Sequence, residues 1–227
     1  MFSLGRLRRV LQPIVLRYWL KPRARKMVHT RVAGLRLEVF PGVFHPRYFG
    51  SSPILARFVD SLPLRGKSFL EVGCGSGVVA LCAARRGADV TAVDINADAV
   101  SCTIANAAAN GLKVDCRYGD VFSTVGNMKF DVIAWNPPYL PGVPKSVQKA
   151  AFFGGEDFEV MRRFARELRD HLNSDGAAYT IVSGDIDVPE IEEMFRSCGL
   201  DVTRALARRW GLGEEMIILC ARGQLPS

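Results

Sequence analysis

The sequence predicts an α/β fold whose sheet has seven strands. Short apolar runs alternate with segments of helical periodicity between residues 67 and 222, which is the pattern of repeated β-α units. A turn that contains three glycines, 73–77, joins the first of these runs to the helix that follows it. Two closely spaced apolar runs, 201–207 and 216–221, end the pattern, and we expect them to form a hairpin-like edge.

The composition is that of a globular protein with one large domain and a small appendage. Of the 227 residues, 48% are hydrophobic and 23% are charged, which is ordinary for a folded protein of this length. The six cysteines include no C-x-x-C pair, so neither a zinc site nor a disulfide framework is indicated and no metal is expected. Free thiols favour a reducing compartment, and we expect the protein to be cytoplasmic.

The net charge of +7 is concentrated at the start of the chain. Residues 1–31 contain nine of the thirty basic residues and no acidic residue. Such an arm favours an anionic partner, which could be a nucleic acid, an acidic lipid surface or an acidic protein face. We therefore divide the chain into a basic helical arm, 1–32, and a main domain, 33–227.

Apolar residues recur at three- and four-residue intervals between Leu4 and Trp19, as on one face of a helix. This face equally fits a terminal helix that packs on the domain. Pro13 and Arg17 interrupt the apolar stretch well short of the roughly 18 residues that a membrane span requires. No small-residue cleavage site follows it, so a secretory signal is not indicated.

The loop at 41–50 follows a short extended segment, 35–40, and carries two prolines, two glycines and several rings. It could roof a ligand pocket or plug the core beneath it. Ser52 and Pro53 then predict the start of a helix, with the serine as N-cap.

The first β-α unit has the form of a nucleotide-binding site. Strand 67–72 leads into Gly73-x-Gly75-x-Gly77 and then into helix 78–84. The glycines allow a ligand to approach the backbone, and the helix start offers free N–H groups. A dinucleotide-binding fingerprint, G-x-G-x-x-G, would need its third glycine at position 78, where this chain has valine. The turn therefore does not match that fingerprint. Glu71, just before the turn, suits a cationic ligand rather than a pyrophosphate.

Two further acids follow the next two strands. Strand 89–93 ends at Asp94, whose two carboxylate oxygens could accept hydrogen bonds from both ribose hydroxyls of an adenosine moiety. The alternative is that Asp94 caps helix 98–110. Strand 113–118 leads to Asp120, which could accept from an adenine amino group or could be an ordinary surface acid.

Asn136-Pro137-Pro138-Tyr139 comes directly after the apolar strand 130–135. Proline cannot extend a sheet ladder, and the carboxyl ends of strands in an open α/β sheet are where ligands bind. The tetrapeptide is therefore a candidate reaction centre, and a Pro-Pro turn is the alternative. The segments that follow are predicted as a non-helical flap at 140–151, helix 158–172, strand 177–182 and helix 189–198.

The combined pattern resembles the class I S-adenosylmethionine-dependent methyltransferases that carry an NPPY motif. Within that class it resembles the HemK-type release-factor glutamine enzymes and the nucleic-acid adenine-N6 enzymes, and residues 153–157 are similar to the Gly-Gly stretch of the glutamine group. The resemblance implies a doubly wound, mostly parallel sheet with an antiparallel last strand, and S-adenosyl-L-methionine as cofactor. The cofactor contacts it implies are Glu71, Gly73, Gly75, Gly77, Asp94, Asp120 and Asn136, and the catalytic residues are Asn136, Pro137 and Tyr139.

The expected chemistry is methyl transfer to a planar amide or amino nitrogen. Such a nitrogen is a poor nucleophile because its lone pair is delocalised. Hydrogen bonds from its NH2 group to the Asn136 side-chain oxygen and the Pro137 carbonyl would favour a pyramidal nitrogen, and Tyr139 would stack on the planar group. Orientation of this kind can supply much of the reduction in activation free energy, on the order of several kcal/mol.

We expect the acceptor to be a glutamine side chain of a protein. A nucleobase amino group, with adenine N6 as the main example, is the first alternative and is favoured by the basic arm. A small metabolite is the second alternative, and a non-catalytic cofactor-binding or membrane-associated protein is the third. The sequence predicts no particular oligomeric state.

Overall fold

The computed structural model describes residues 26–140, 142–211 and 213–224. The amphipathic helix predicted between Leu4 and Trp19 therefore lies outside the described residues. Within them, no helix is both long enough and apolar enough to cross a lipid bilayer.

Seven strands form the main sheet, which confirms the predicted count. They are β3 (Ser68–Val72), β4 (Asp89–Asp94), β5 (Asp115–Tyr118), β6 (Phe130–Trp135), β7 (Leu172–Ser183), β8 (Leu200–Trp210) and β9 (Glu214–Gly223). Their order across the sheet is β5-β4-β3-β6-β7-β9-β8. All pairs from β5 to β7 are parallel, whereas β9 is antiparallel to both of its neighbours. The sheet is therefore mostly parallel with an antiparallel last strand, as expected.

Helices cover both faces of the sheet, as the doubly wound fold requires. The helices are α1 (Ser51–Asp60), α2 (Val78–Arg85), α3 (Ala97–Ala109), α4 (Val147–Ala150), α5 (Glu159–Leu168) and α6 (Val188–Arg196). Leu55 of α1 and Leu81 of α2 belong to the buried cluster on one face. Phe164 of α5 and Ile191 of α6 belong to the cluster on the other face.

A two-stranded hairpin, β1 (Val28–Val32) and β2 (Leu35–Val39), packs against this core. Its anchor is Asn106 of α3, which is fully buried. The Asn106 side chain accepts from the Glu38 N–H at 2.7 Å, and its Nδ2 donates to the Glu38 carbonyl at 2.9 Å and to the Ser76 carbonyl at 3.0 Å. One amide therefore ties β2 to the glycine turn.

Strand β1 was not predicted, and residues 28–32 were assigned to the helical arm. Its middle residues His29, Thr30 and Arg31 are polar and its outward positions are exposed, so it carries no apolar run. Pairing with β2, rather than a pattern of its own, makes it a strand. Because residues 1–25 lie outside the described residues, the arm and its boundary stay predictions.

In the second half of the chain one local prediction is wrong, and one predicted helix is confirmed but is shorter than expected. The 140–151 segment was expected to contain no helix, but it includes the single turn α4. The helix predicted over 158–172 ends at Leu168 and continues as a 3₁₀ turn, Arg169–His171. It cannot extend further because Leu172 already pairs with Phe130 in the sheet.

Candidate active site

The strand order reverses between β3 and β6, since the chain leaves β3 towards β4 on one side and leaves β6 towards β7 on the other. At such a switch point the carboxyl ends of the strands open a crevice. A cavity of about 260 Å³ lies there. Six of the seven predicted cofactor residues line it, namely Glu71, Gly73, Gly75, Asp94, Asp120 and Asn136.

Gly77, the seventh, shapes the turn without lining the cavity. It is the N-cap of α2 and has a left-handed φ of 78°. A β-carbon at Gly77 would stand 2.7 Å from Cγ2 of Thr103, so only glycine fits this position. The N–H groups of Gly73 and Cys74 donate to the Val93 carbonyl at 2.8 and 3.1 Å, and these bonds hold the turn against the end of β4.

Glu71 lies at the end of β3, beneath the turn, and is 5% exposed. Its Oε2 accepts a hydrogen bond of 2.7 Å from the Ala80 N–H of α2. Burial raises the pKa of Glu71 well above its ordinary value, the Ala80 hydrogen bond opposes that rise, and the neighbouring Asp94 adds to it. A cation bound in the cavity would favour the ionised carboxylate.

Asp94 uses both carboxylate oxygens to hold the loops around the cavity. Oδ2 accepts from the Gly75 N–H and Oδ1 from the Asn96 N–H, each at 2.8 Å. Burial raises the pKa of Asp94, and these two bonds counteract the rise. The predicted alternative, that Asp94 caps α3, is wrong because Asn96 is the N-cap and accepts from the Asp98 N–H. Each Asp94 oxygen retains a lone pair for a ligand.

Asp120 follows β5 and forms an ion pair that the sequence did not predict. Its Oδ1 lies 2.7 Å from Nη2 of Arg163, on α5. Arg163 also lines the cavity, and its Nε is buried with no hydrogen-bond partner among the described residues. No motif marks Arg163 in the sequence, because the pair joins residues that only the folded sheet brings together.

Asn136 is the first residue after β6. Its Nδ2 donates to the hydroxyl oxygens of Ser51 and Ser52, at 3.1 Å each. Both serines are buried. The prediction that Ser52 caps the helix is wrong, because α1 begins at Ser51 with Gly50 as N-cap and no side-chain cap.

A second, smaller pocket of about 30 Å³ adjoins the cavity at Asn136, which lines both. We call it the acceptor pocket. Pro137, Tyr139 and Ser51 also line it. The predicted catalytic residues are therefore together in the acceptor pocket, and Pro137 and Tyr139 do not line the larger cavity.

Three phenylalanine rings close the acceptor pocket. The Phe44 ring is 4.7 Å from that of Phe49 and 5.4 Å from that of Phe152, measured between centroids. Phe44 lines both the pocket and the cavity. Of the two interpretations of the 41–50 loop, this placement favours a roof over a ligand site.

The Asn136–Tyr139 segment is held in place by the residues that follow it. Leu140 donates to the Phe152 carbonyl at 2.9 Å and accepts from the Gly154 N–H at 3.1 Å. Gly142 and Gly155 exchange two backbone hydrogen bonds of 2.9 and 3.3 Å. Gly154 lies so close to Pro138 that a β-carbon would overlap the Pro138 carbonyl oxygen.

Comparison with known proteins gives the family. Residues 35–205 match the family model described as "Methyltransferase small domain". The chain belongs to this family. It is an S-adenosylmethionine-dependent methyltransferase, and its sheet has the class I topology.

A predicted protein N5-glutamine methyltransferase of Methanocaldococcus jannaschii is 32% identical to this methyltransferase over 82% of the chain and 95% of that protein. Ribosomal RNA small subunit methyltransferase C of an Enterobacter species is 32% identical over 71% of the chain and 44% of its own length. The T. thermophilus 16S rRNA N2 G1207 methyltransferase, solved with AdoMet and guanosine, gives a TM-score of 0.66 at 22% identity and covers 88% of this chain and 50% of that one. The chain thus spans nearly all of the first relative and about half of each rRNA enzyme.

The residues around the cavity fit S-adenosylmethionine. The buried carboxylate of Glu71 suits its positive charge, and the half-buried carboxylate of Asp94 suits its ribose hydroxyls. The glycine turn at 73–77 leaves the backbone open to close approach. No cluster of three or more His, Cys, Asp or Glu side chains that could hold a metal ion occurs in the described part of the chain.

Proposed function

We propose that this methyltransferase transfers a methyl group to the side-chain amide nitrogen of a glutamine in a protein substrate. The size of the acceptor pocket carries the proposal. A single water needs roughly 10–15 Å³ by the same measure, so a pocket of about 30 Å³ matches the three heavy atoms of a carboxamide. A purine has nine ring atoms besides its substituents and is larger than this pocket.

The acceptor side of the proposal rests on Asn136, Pro137 and Tyr139. The Asn136 Oδ1 and the Pro137 carbonyl would accept the two hydrogens of the acceptor NH2 group, which favours a pyramidal nitrogen with its lone pair directed at the methyl group. Tyr139 would stack on the planar amide. Fixed dipoles of this kind need no reorganisation during the reaction. As the C–N bond forms and the C–S bond breaks, the positive charge passes to the nitrogen, which then releases one proton to water, so no general base is required before transfer.

On the cofactor side, S-adenosylmethionine supplies an electrophilic methyl group on a positively charged sulfur when it is bound. We assign Glu71 to the cationic part of the cofactor, Asp94 to the ribose hydroxyls and Asp120 to the adenine amino group. Asn136 contributes to the wall between the cofactor and the acceptor. The turn that contains Gly73, Gly75 and Gly77 would allow the cofactor to contact the backbone.

Transfer of a labelled methyl group from S-adenosylmethionine to cell extract tests the acceptor. The label is expected in protein, and complete hydrolysis of the labelled protein should release N5-methylglutamine. Label that protease treatment leaves intact, or that appears in a methylated nucleoside, would contradict the glutamine proposal.

Asn136→Ala tests the mechanism. The variant should bind S-adenosylmethionine with an affinity within about two-fold of the parent and lose at least about 100-fold in kcat, the scale of a lost transition-state hydrogen-bonding group. Asn127→Ala is a matched control, because Asn127 is exposed and precedes β6 at the opposite end of that strand. Normal turnover by the Asn136 variant would refute the role assigned to this residue.

A nucleobase amino group is the second candidate acceptor. It is supported by the similarity to rRNA methyltransferases over 71% of the chain and by the acid-free basic segment at residues 1–31. Nuclease treatment of the extract before labelling distinguishes the two, since it should abolish labelling only if the acceptor is a nucleic acid. An anionic partner for residues 1–31 and a cytoplasmic location stay predictions.

A further inference from the structure

We infer that Ser51 and Ser52 are positioning residues that orient the Asn136 amide for methyl transfer. The inference rests on the proposed function, in which Asn136 accepts a hydrogen bond from the acceptor NH2 group. A primary amide has a donor end and an acceptor end, and rotation about the last side-chain bond exchanges them. Only the oxygen can serve an acceptor NH2 group, so the orientation of this amide decides whether the site can work.

Both amide protons of Asn136 are directed at serines. Nδ2 lies 3.1 Å from Oγ of Ser51 and 3.1 Å from Oγ of Ser52, so each serine accepts one N–H. Because Oδ1 and Nδ2 diverge from the same carbon, the oxygen then points away from α1. In this orientation Oδ1 stays available to the acceptor NH2 group, as the proposed mechanism requires, and the two serines hold the amide there.

The positions of the two serines match this role. Ser51 lines the acceptor pocket and Ser52 lines the cofactor cavity, so the pair lies where the two spaces meet. They are 2% and 8% exposed, and water cannot easily replace a hydroxyl group there. Loss of either hydroxyl would leave an N–H of the half-buried Asn136 side chain without its protein partner, which is unfavourable.

The start of α1, which carries both serines, is fixed from outside. The ring of Trp210, from the end of β8, packs directly on Gly50 and leaves no room for a β-carbon there. Further along the helix, the Phe58 ring meets that of Tyr179 on β7 edge to face, with centroids 4.9 Å apart. The hydroxyls are therefore presented by a segment that is held at both ends.

The first experiment compares steady-state kinetics of Ser51→Ala, Ser52→Ala and the double variant with the parent. We expect kcat to fall about 10- to 100-fold in the double variant, because the Asn136 amide loses both hydrogen bonds that hold it. The acceptor KM and the affinity for S-adenosylmethionine should stay within about two-fold. Ser61→Ala is the matched control, because Ser61 lies at the other end of α1 and its hydroxyl donates only to the Phe58 carbonyl. This control should leave kcat unchanged.

A double-mutant cycle separates positioning from a merely structural role. In an Asn136→Ala background, the two serine substitutions should lower kcat by no more than about two-fold. The effects of substitutions that act through the same group do not add, and here that group is already absent. An equal loss of kcat in both backgrounds, or a parallel loss of cofactor affinity, would overturn the inference.

The second experiment needs no acceptor and therefore remains decisive if the proposed function fails. The Asn136 side-chain NH2 signal in ¹⁵N-labelled protein is assigned by its absence in Asn136→Ala. We expect its protons to exchange with solvent at least about ten-fold more slowly in the parent than in the serine double variant, because two hydrogen bonds to buried serines protect them. Equal exchange rates would show that the NH2 group does not face the serines and would overturn the inference, whatever the acceptor is.

Discussion

Gly154 offers a sharp test of whether the geometry of the Asn136–Tyr139 segment controls the rate. Gly154 does not have a left-handed φ, so alanine is not excluded by backbone conformation. It is excluded by contact, since a β-carbon would overlap the carbonyl oxygen of Pro138 and stand 3.3 Å from its carbonyl carbon. Both atoms belong to the backbone, and they cannot be moved without moving the segment itself.

The expected loss follows from the size of that movement. Ordinary contacts of a β-carbon begin at 3.4 Å, so relief of the overlap in Gly154→Ala requires a shift of about 1 Å between the two segments. A misplacement of this size costs on the order of 100-fold in rate, or about 2.7 kcal/mol of activation free energy. Overpacking of this kind also lowers the free energy of unfolding by about 1–3 kcal/mol.

The assay is methyl transfer at saturating cofactor, with thermal unfolding measured in parallel. Gly223→Ala is the matched control, because Gly223 also lacks a left-handed φ and a β-carbon there meets nothing within 4 Å. We expect the control to keep both its kcat and its melting temperature. If Gly154→Ala folds and retains kcat within about three-fold of the parent, then the reaction does not depend on the position of Asn136 and Tyr139, and the reasoning is refuted.

Two further predictions concern the cofactor side. Burial raises the pKa of Glu71, so the native protein keeps a proton that the unfolded chain releases. The free energy of unfolding of the cofactor-free protein should therefore fall as pH rises above the ordinary glutamate pKa of about 4.3. In Glu71→Gln, urea unfolding should show a weaker decline of the free energy of unfolding with pH. Calorimetry should show a larger loss of affinity for S-adenosylmethionine than for S-adenosylhomocysteine, which lacks the sulfonium charge but keeps the ammonium group. Equal losses would contradict an interaction of Glu71 with the sulfonium. Gly77→Ala should weaken cofactor binding at least about ten-fold, because its left-handed φ costs about 1–2 kcal/mol and its β-carbon meets Thr103 at 2.7 Å; unchanged affinity in a calorimetric titration would contradict the role of the turn.

Local sequence patterns predicted the strands and the glycine turn. Contacts between residues far apart in the chain could not be predicted from such patterns. The buried strands β3, β4 and β6 were predicted because each is a short apolar run, and the glycine turn because it joins a strand to a helix. Ser52 was interpreted as a helix cap because Ser-Pro is a local signal for one. Its hydrogen bond to Asn136 joins residues 84 positions apart, and no local pattern reports such a contact. The Asp120–Arg163 ion pair escaped prediction for the same reason.

The two halves of the site differ in charge, and this difference bears on which nitrogen can be methylated. The cofactor cavity is lined by the carboxylates of Glu71, Asp94 and Asp120, which suit a cation. Among the described residues that line the acceptor pocket there is no charged side chain, and its polar groups are neutral hydroxyl, amide and carbonyl groups.

An ammonium group in that pocket would lose its hydration without gaining a counter-ion, which is strongly unfavourable. A neutral carboxamide loses far less and finds two acceptors for its NH2 group. In the proposed reaction, positive charge would move from the cofactor towards the acceptor nitrogen, whose NH2 group would be hydrogen-bonded to the oxygens of Asn136 and Pro137. Under this proposal, the uncharged pocket that disfavours an ammonium group would still stabilise the charge that develops on an amide nitrogen in the transition state.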